Sequence, residues 1–244
     1  MLAASSRKHI AMRAGLGRPG ARPLQNVMEL AMTDSKPWLD RSHDIEGLDA
    51  LAALYGAPGE ASIMKECDHI HPVYAPYIEA APFAALASFG AKGLDVSPRG
   101  DGPGFVQIAD PRHLLLPDRR GNKRVDSLRN VLHDPRVALL FLIPGVPEAL
   151  RVNGRARIST APALLERCAH EGILPSSVLV IEVALVFFQC ARAIKRAGLW
   201  DAAVQIPRER LPSPGLILQT LSAAAIDGAA YDGELQERQQ RTMY

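Results

Sequence analysis

The chain has 244 residues, 48% of them hydrophobic and 22% charged, with a formal net charge of only +2. That is enough chain to bury a sizeable core, and the composition is that of a globular protein rather than a disordered one. It excludes the global basic field of a nucleic-acid binder, and no apolar run reaches the ~20 residues of a membrane-crossing helix. Cys67, Cys168 and Cys190 are widely spaced and odd in number, which fits a reducing cytoplasm rather than a disulfide frame.

Residues 1–31 differ from the rest. Arg7, Lys8, Arg13, Arg18 and Arg22 stand there against one acid, Glu29, among scattered Gly and Pro. The stretch reads as a disordered tail or a mis-assigned start with Met32 as the true beginning; a basic, acid-poor leader also suits a transit peptide. Gly15-Leu16-Gly17-Arg18-Pro19-Gly20 spells the dinucleotide fingerprint G-x-G-x-x-G. No strand precedes it and Pro19 opposes a following helix, so it reads as a decoy.

Residues 32–80 read as a helical segment. The spacing of Ile45, Leu48, Leu51, Ala52 and Tyr55 predicts a helix over 44–55 ended by Gly56, with further helices over 61–67 and 71–80. Cys67-Asp68-His69-Ile70-His71 offers metal ligands, but no second ligand pair accompanies it, and no metal site is expected.

A sheet is predicted from Phe83. Strands over 83–89 and 94–99 meet at Gly90-Ala91-Lys92-Gly93, and a second pair over 105–109 and 113–116 meets at Asp110-Pro111-Arg112. Further strands cover 136–143, 150–158 and 177–188, with a short helix over 161–170. Tight turns between strands make the sheet antiparallel, and so many strands with short helices favour a closed barrel, which has no free edges. Arg151, Arg155 and Arg157 alternate along one strand and face one side, the default being a solvated exterior. Residues 191–244 read as a helical extension, with helices over 191–197 and 213–225 and a polar helix or tail over 233–243.

Between Asp118 and Asn130 lies the most informative stretch, DRRGNKRVDSLRN. Pro117 is expected to stop the preceding strand, Gly121 to turn the chain and Asn122 to cap a helix running to His133. Arg119, Arg120, Lys123 and Arg124 then crowd a helix mouth whose bare N–H groups already favour an anion. Arg124 and Ser127, three apart, share a face. This outlines a phosphate pocket on a strand–turn–helix, set against the plainer reading of a solvated basic helix start.

The order of elements and several motifs resemble the pyridoxamine 5′-phosphate oxidase-like flavoproteins, in the FMN-dependent subgroup. The motifs are DVSPRGD over 95–101, PDR over 117–119 with Gly121, Asn122 and Arg124, DSLRN over 126–130, LFLIPG over 140–145, RVNGRA over 151–156, and FQC over 188–190 through LWD over 199–201. The resemblance implies a mainly β, α+β fold, an antiparallel split β-barrel of FMN-binding type over 81–190. It further implies a homodimer with FMN at the subunit interface. Carried over residue by residue, Val96, Ser97, Pro117 and Asp118 contact the ring, and Arg99, Arg119, Asn122, Arg124 and Ser127 the phosphate. Two departures stand out. The span before Asp134-Pro135 is longer than in the biosynthetic oxidases and lacks their contiguous Arg-Lys, and the residues that hold their substrate's phosphate find no match.

The function implied is that of an FMN-dependent oxidoreductase acting on a small molecule, with NAD(P)H, oxygen or a deazaflavin as redox partner. No catalytic residue is named, because the flavin carries the chemistry. A flavin-binding protein without turnover, serving as sensor, store or assembly partner, is the alternative; an anion- or nucleic-acid-binding barrel that uses the same basic turn, with no flavin, is a third. Trp200 and Cys190 are weighed as flavin contacts against a packing role, and His133 and His170 as helix-end caps.

Overall fold

Alternation of apolar and polar residues begins at Phe83, and so does the sheet. In β1 (Phe83–Gly90), Ala84, Leu86 and Ser88 point inward while Phe89 points out. Gly93, at φ +99°, turns the chain into β2 (Gly93–Gly100), which pairs with β1 from Gly90↔Gly93 to Phe83↔Gly100. Then come β3 (Gln107–Asp110) and β4 (His113–Asp118). The set is completed by β5 (Arg136–Leu142), β6 (Ala149–Ser159) and β7 (Ser177–Gln189). The computed structural model describes residues 37–244. The basic leader, Met32 and the G-x-G-x-x-G pattern lie outside the described residues.

The seven strands form one sheet in the order β2-β1-β5-β6-β7-β4-β3, and every pairing is antiparallel. The expected closure is not made by hydrogen bonds: β2 and β3 are the two edges, so the barrel is split. Its interior is nevertheless one core, in which Leu86, Leu114, Leu116, Leu139, Phe141, Leu150 and Ile181 pack together. Each such side chain contributes about 1.5–3 kcal/mol. The other face of β4 is covered too, where Leu115, Val178 and Val180 meet Cys168. That double burial explains the unbroken Leu114-Leu115-Leu116 run.

Pro117 does not stop β4. It pairs opposite Val178, and the strand ends one residue later at Asp118. In β6 the ladder shifts between Asn153 and Gly154. A Cβ at Gly154 would strike the Glu182 carbonyl, so only glycine allows β6 and β7 to approach there.

The chain divides into two compact units after Ala57. In the first lies α1 (Leu48–Tyr55), shorter than predicted, closed by Gly56 at φ +69°. The second opens with α2 (Glu60–Met64) and α3 (Ala75–Ala80), where Pro76 sets a later start than the apolar spacing indicated. Next in order, α4 (Asp126–His133) leads into β5 and α5 (Pro162–Arg167) covers β4 and β7. After the sheet, α6 (Arg192–Ala197) ends at left-handed Gly198. Helix α7 (Pro214–Leu221) is capped by Ser213, and α8 (Gly228–Arg241) by Asp227. Asp232 of α8 accepts from the Gly215 N–H at 2.7 Å, which ties the two helices together at their glycine contact.

Candidate functional site

Helix α4 is held against β1 by Asn130, whose Nδ2 donates to Ser88 Oγ at 3.0 Å, and by Val131 in the core. A Cβ at Gly90 would collide with the Asn130 side chain, so the tight turn residue also makes room for the helix. This fixes the start of α4 beside the edge strand β2. Ser127, in the first helical turn, is 3% exposed, and its Oγ lies 2.9 Å from Ser97 Oγ of β2.

The helix begins at Asp126, not at Asn122. Asn122 does not cap it. Its Oδ1 accepts from the Arg124 N–H at 3.0 Å, folding the loop on itself. Lys123 and Val125 are left-handed, at φ +61° and +50°. For β-branched Val125 this costs about 1–3 kcal/mol, and it leaves the first N–H groups of α4 with no side-chain cap.

Two reciprocal ion pairs cross the seam between β2 and β4. Arg99 of β2 gives Nη1 to Asp118 of β4 at 2.9 Å. Arg119, just past β4, gives Nε to Asp101, just past β2, at 2.8 Å, and Nη1 to the Cys168 carbonyl at 2.9 Å. Arg99 Nε is buried with no partner among the described residues. Asp101 is 3% exposed at its side chain. Burial pushes its carboxyl up, but bonds from the Gly102 N–H, Tyr244 and Arg119 outweigh that and hold it below the ordinary value.

Ser97, Arg99, Asp118, Arg119 and Ser127 line one cavity of about 840 Å³. Of the residues expected at the site, all but Val96 line it; Val96 alternates to the other face of β2 and is 64% exposed. The walls carry Arg99, Arg119, Arg120, Lys123 and Arg124 against Asp95, Asp118 and Asp126, an excess of cations. Arg99, Arg119 and Arg124 are already paired with the chain's own carboxylates, Arg124 through Asp126 at 2.7 Å. Arg120 and Lys123 are in no ion pair among the described residues.

The residues suit FMN. A cationic end, an uncapped helix start and the unpartnered Arg99 Nε match a phosphate dianion, and Pro98, Pro117 and Leu174 offer flat apolar wall to a ring.

The sequence reading missed the segment Ile173–Ser177 and Tyr244, which line the cavity; Tyr244 also reaches Asp101, the last residue of the DVSPRGD motif, from 143 residues away. No local pattern announces them. Trp200 is not in the cavity; its Nε1 donates to the Val146 carbonyl at 2.8 Å. Cys190 is exposed and also outside it. Arg151, Arg155 and Arg157 face outward from β6. At the Cys67–His71 cluster, Asp68 binds His69 and Arg112, and no metal-ligand cluster occurs among the described residues. His133 sits in the last turn of α4, whereas His170 stacks on Tyr244.

Residues 70–190, about half of the chain, match the family model described as Pyridoxamine 5′-phosphate oxidase. The chain is a pyridoxamine 5′-phosphate oxidase-like split-barrel protein. Among solved structures, it is similar to HupZ of Group A Streptococcus at 18% identity, covering 49% of this chain and 93% of that one, with a TM-score of 0.41. A candidate pyridoxamine 5′-phosphate oxidase from Lactobacillus delbrueckii is 21% identical, covering 51% and 99%, with a TM-score of 0.40. General Stress Protein 26 from Bacillus anthracis is 15% identical, covering 46% and 88%, with a TM-score of 0.35. Comparison with the curated proteins gives no match. No described helix is long and apolar enough to cross a membrane.

Proposed function

We propose that this split barrel binds FMN in the cleft between β2, β4 and the start of α4, and acts as an FMN-dependent oxidoreductase on a small molecule. The observation that carries the reading is the convergence, on one cavity, of the Ser97–Ser127 pair, the uncapped start of α4 and Arg99 with its unpartnered Nε. Arg120, Lys123 and Arg124 supply the charge that a phosphate needs, and Ser127 with the first amides of α4 supplies directional donors. Pro117 and the inward side of β2 bound the place for the ring.

When bound, FMN supplies the electron transfer. The chain's own residues bind and orient it, and the apolar walls limit water. NAD(P)H, oxygen or a deazaflavin is the redox partner. We place the FMN site at the interface of a homodimer. The outer face of β1, β2 and β5 exposes Phe89, Leu94, Val96 and Leu140 beside a groove of about 570 Å³, an apolar surface suited to a second copy.

The second reading, a flavin carrier without turnover, has its own support: the cavity is lined by no His, Cys or Glu among the described residues. Anaerobic mixing of the FMN-loaded protein with NADPH, NADH and a reduced deazaflavin separates the two. Bleaching of the flavin by any donor, followed by reoxidation, supports the enzyme; no bleaching by all three supports the carrier.

A further inference from the structure

Tyr244 lies beyond α8, yet it returns to the cavity wall. Its phenol donates to Asp101 Oδ1 at 2.9 Å, and its ring stacks on His170 with centroids 4.3 Å apart and planes 14° from parallel. The Arg119 guanidinium carbon lies 6.0 Å from the same ring centroid. Apolar burial does not explain these contacts, because Tyr244 is 37% exposed.

The centre of the arrangement is Asp101. One of its oxygens takes the Gly102 N–H and the Tyr244 hydroxyl, and the other takes Arg119 Nε. Arg119 spends Nη1 on the Cys168 carbonyl, and its Nη2 has no partner among the described residues. A carboxylate held from three sides is itself fixed, and a guanidinium bonded to it through Nε is fixed in turn. Segments following β2, β4 and α5 thus meet with Tyr244 at one point, from which Arg119 and Tyr244 line the cavity.

We propose that Tyr244 is a positioning residue of the cleft: by completing the hydrogen bonds of Asp101 it fixes Arg119 as an anion-binding group, and its ring, backed by the stacked His170, gives the cleft an aromatic wall. The ligand class this favours is a planar ring carrying a phosphate. The proposal rests on the reading of the cleft as an FMN site.

The test is a double-mutant cycle on the full-length protein, reading FMN affinity and dissociation rate by flavin fluorescence. Tyr244→Phe keeps the ring and removes the hydroxyl, and is expected to weaken FMN about fivefold. Tyr244→Ala removes both and is expected to weaken it about tenfold or more. In an Arg119→Ala background, Tyr244→Phe is expected to have no further effect, since it acts through Arg119. Unchanged affinity in Tyr244→Phe overturns the proposal, and so does an equal loss with and without Arg119. If the wild-type protein binds no FMN, the FMN reading falls. The same cycle is then run with inorganic phosphate as probe, where coupling between Tyr244 and Arg119 upholds the positioning role and its absence overturns it.

Discussion

Ser97 Oγ and Ser127 Oγ lie 2.9 Å apart, one on the edge strand β2 and the other in the first turn of α4. The bond joins the sheet to the helix where the helix amides are uncapped, so each hydroxyl still has capacity for a ligand oxygen. Ser127→Ala is expected to weaken FMN binding about tenfold while lowering stability by only about 1 kcal/mol. Titration of flavin fluorescence alongside urea unfolding checks both. Unchanged FMN affinity would remove Ser127 from the site.

Arg99 and Asp118 are each less than one-fifth exposed and hold the seam through a single bond. Removing either partner leaves the other charge largely buried but still touched by solvent, at a cost of about 1–2 kcal/mol, below the figure for a fully buried pair. On FMN the two variants are expected to diverge. Arg99→Ala weakens binding, whereas Asp118→Asn strengthens it, because Arg99 loses its internal competitor. Binding that changes in the same direction in both variants would contradict this account of the pair.

Acid is expected to loosen the cleft. Asp101 is held below 3.8 by the groups named above despite its burial, Asp126 is lowered by Arg124, and Asp134 is lowered to about 2 by Arg136. A carboxyl depressed on folding gives stability that is present above its unfolded value and lost as pH falls through its folded one. Denaturant unfolding should therefore give constant stability down to about pH 5 and a fall between about pH 4 and 2. Asp101→Asn should start lower and fall less. A wild-type profile flat to pH 2 would contradict the assignment.

Gly90→Ala tests how the helix is placed. The added Cβ meets the Asn130 side chain, which must leave Ser88 Oγ, a buried acceptor. A loss of about 1–3 kcal/mol is expected, together with weaker FMN binding, since the start of α4 shifts. Calorimetric unfolding of this variant showing wild-type stability would mean that Asn130 is not what holds α4.

Much of the fold was legible because alternation and turn residues are local signals. Gly90 and Gly93 mark one hairpin and Asp110-Pro111-Arg112 another; both form, with Gly90, Gly93 and Asp110 drawn into the strands and β3 starting at Gln107 rather than Phe105. The cavity was legible as a neighbourhood, since the cations and Ser127 that line it follow a strand directly. The finer expectations failed where tertiary contacts override local preference. Pro117 stays in β4 opposite Val178, and Asn122 folds onto Arg124 instead of capping the helix. Val96 lies on the face of β2 away from the cavity by alternation alone, a parity that the sequence contained. Tyr244 and Asp101 lie too far apart in the chain for any pattern to join them.

The central claim is that the cleft at the start of α4 holds FMN. The most direct measurement is a fluorescence titration of the purified full-length protein with FMN, with riboflavin in parallel. The account predicts saturable quenching with one FMN per chain and much weaker binding of riboflavin, which lacks the phosphate. Equal affinity for the two flavins, or none for FMN, would contradict it.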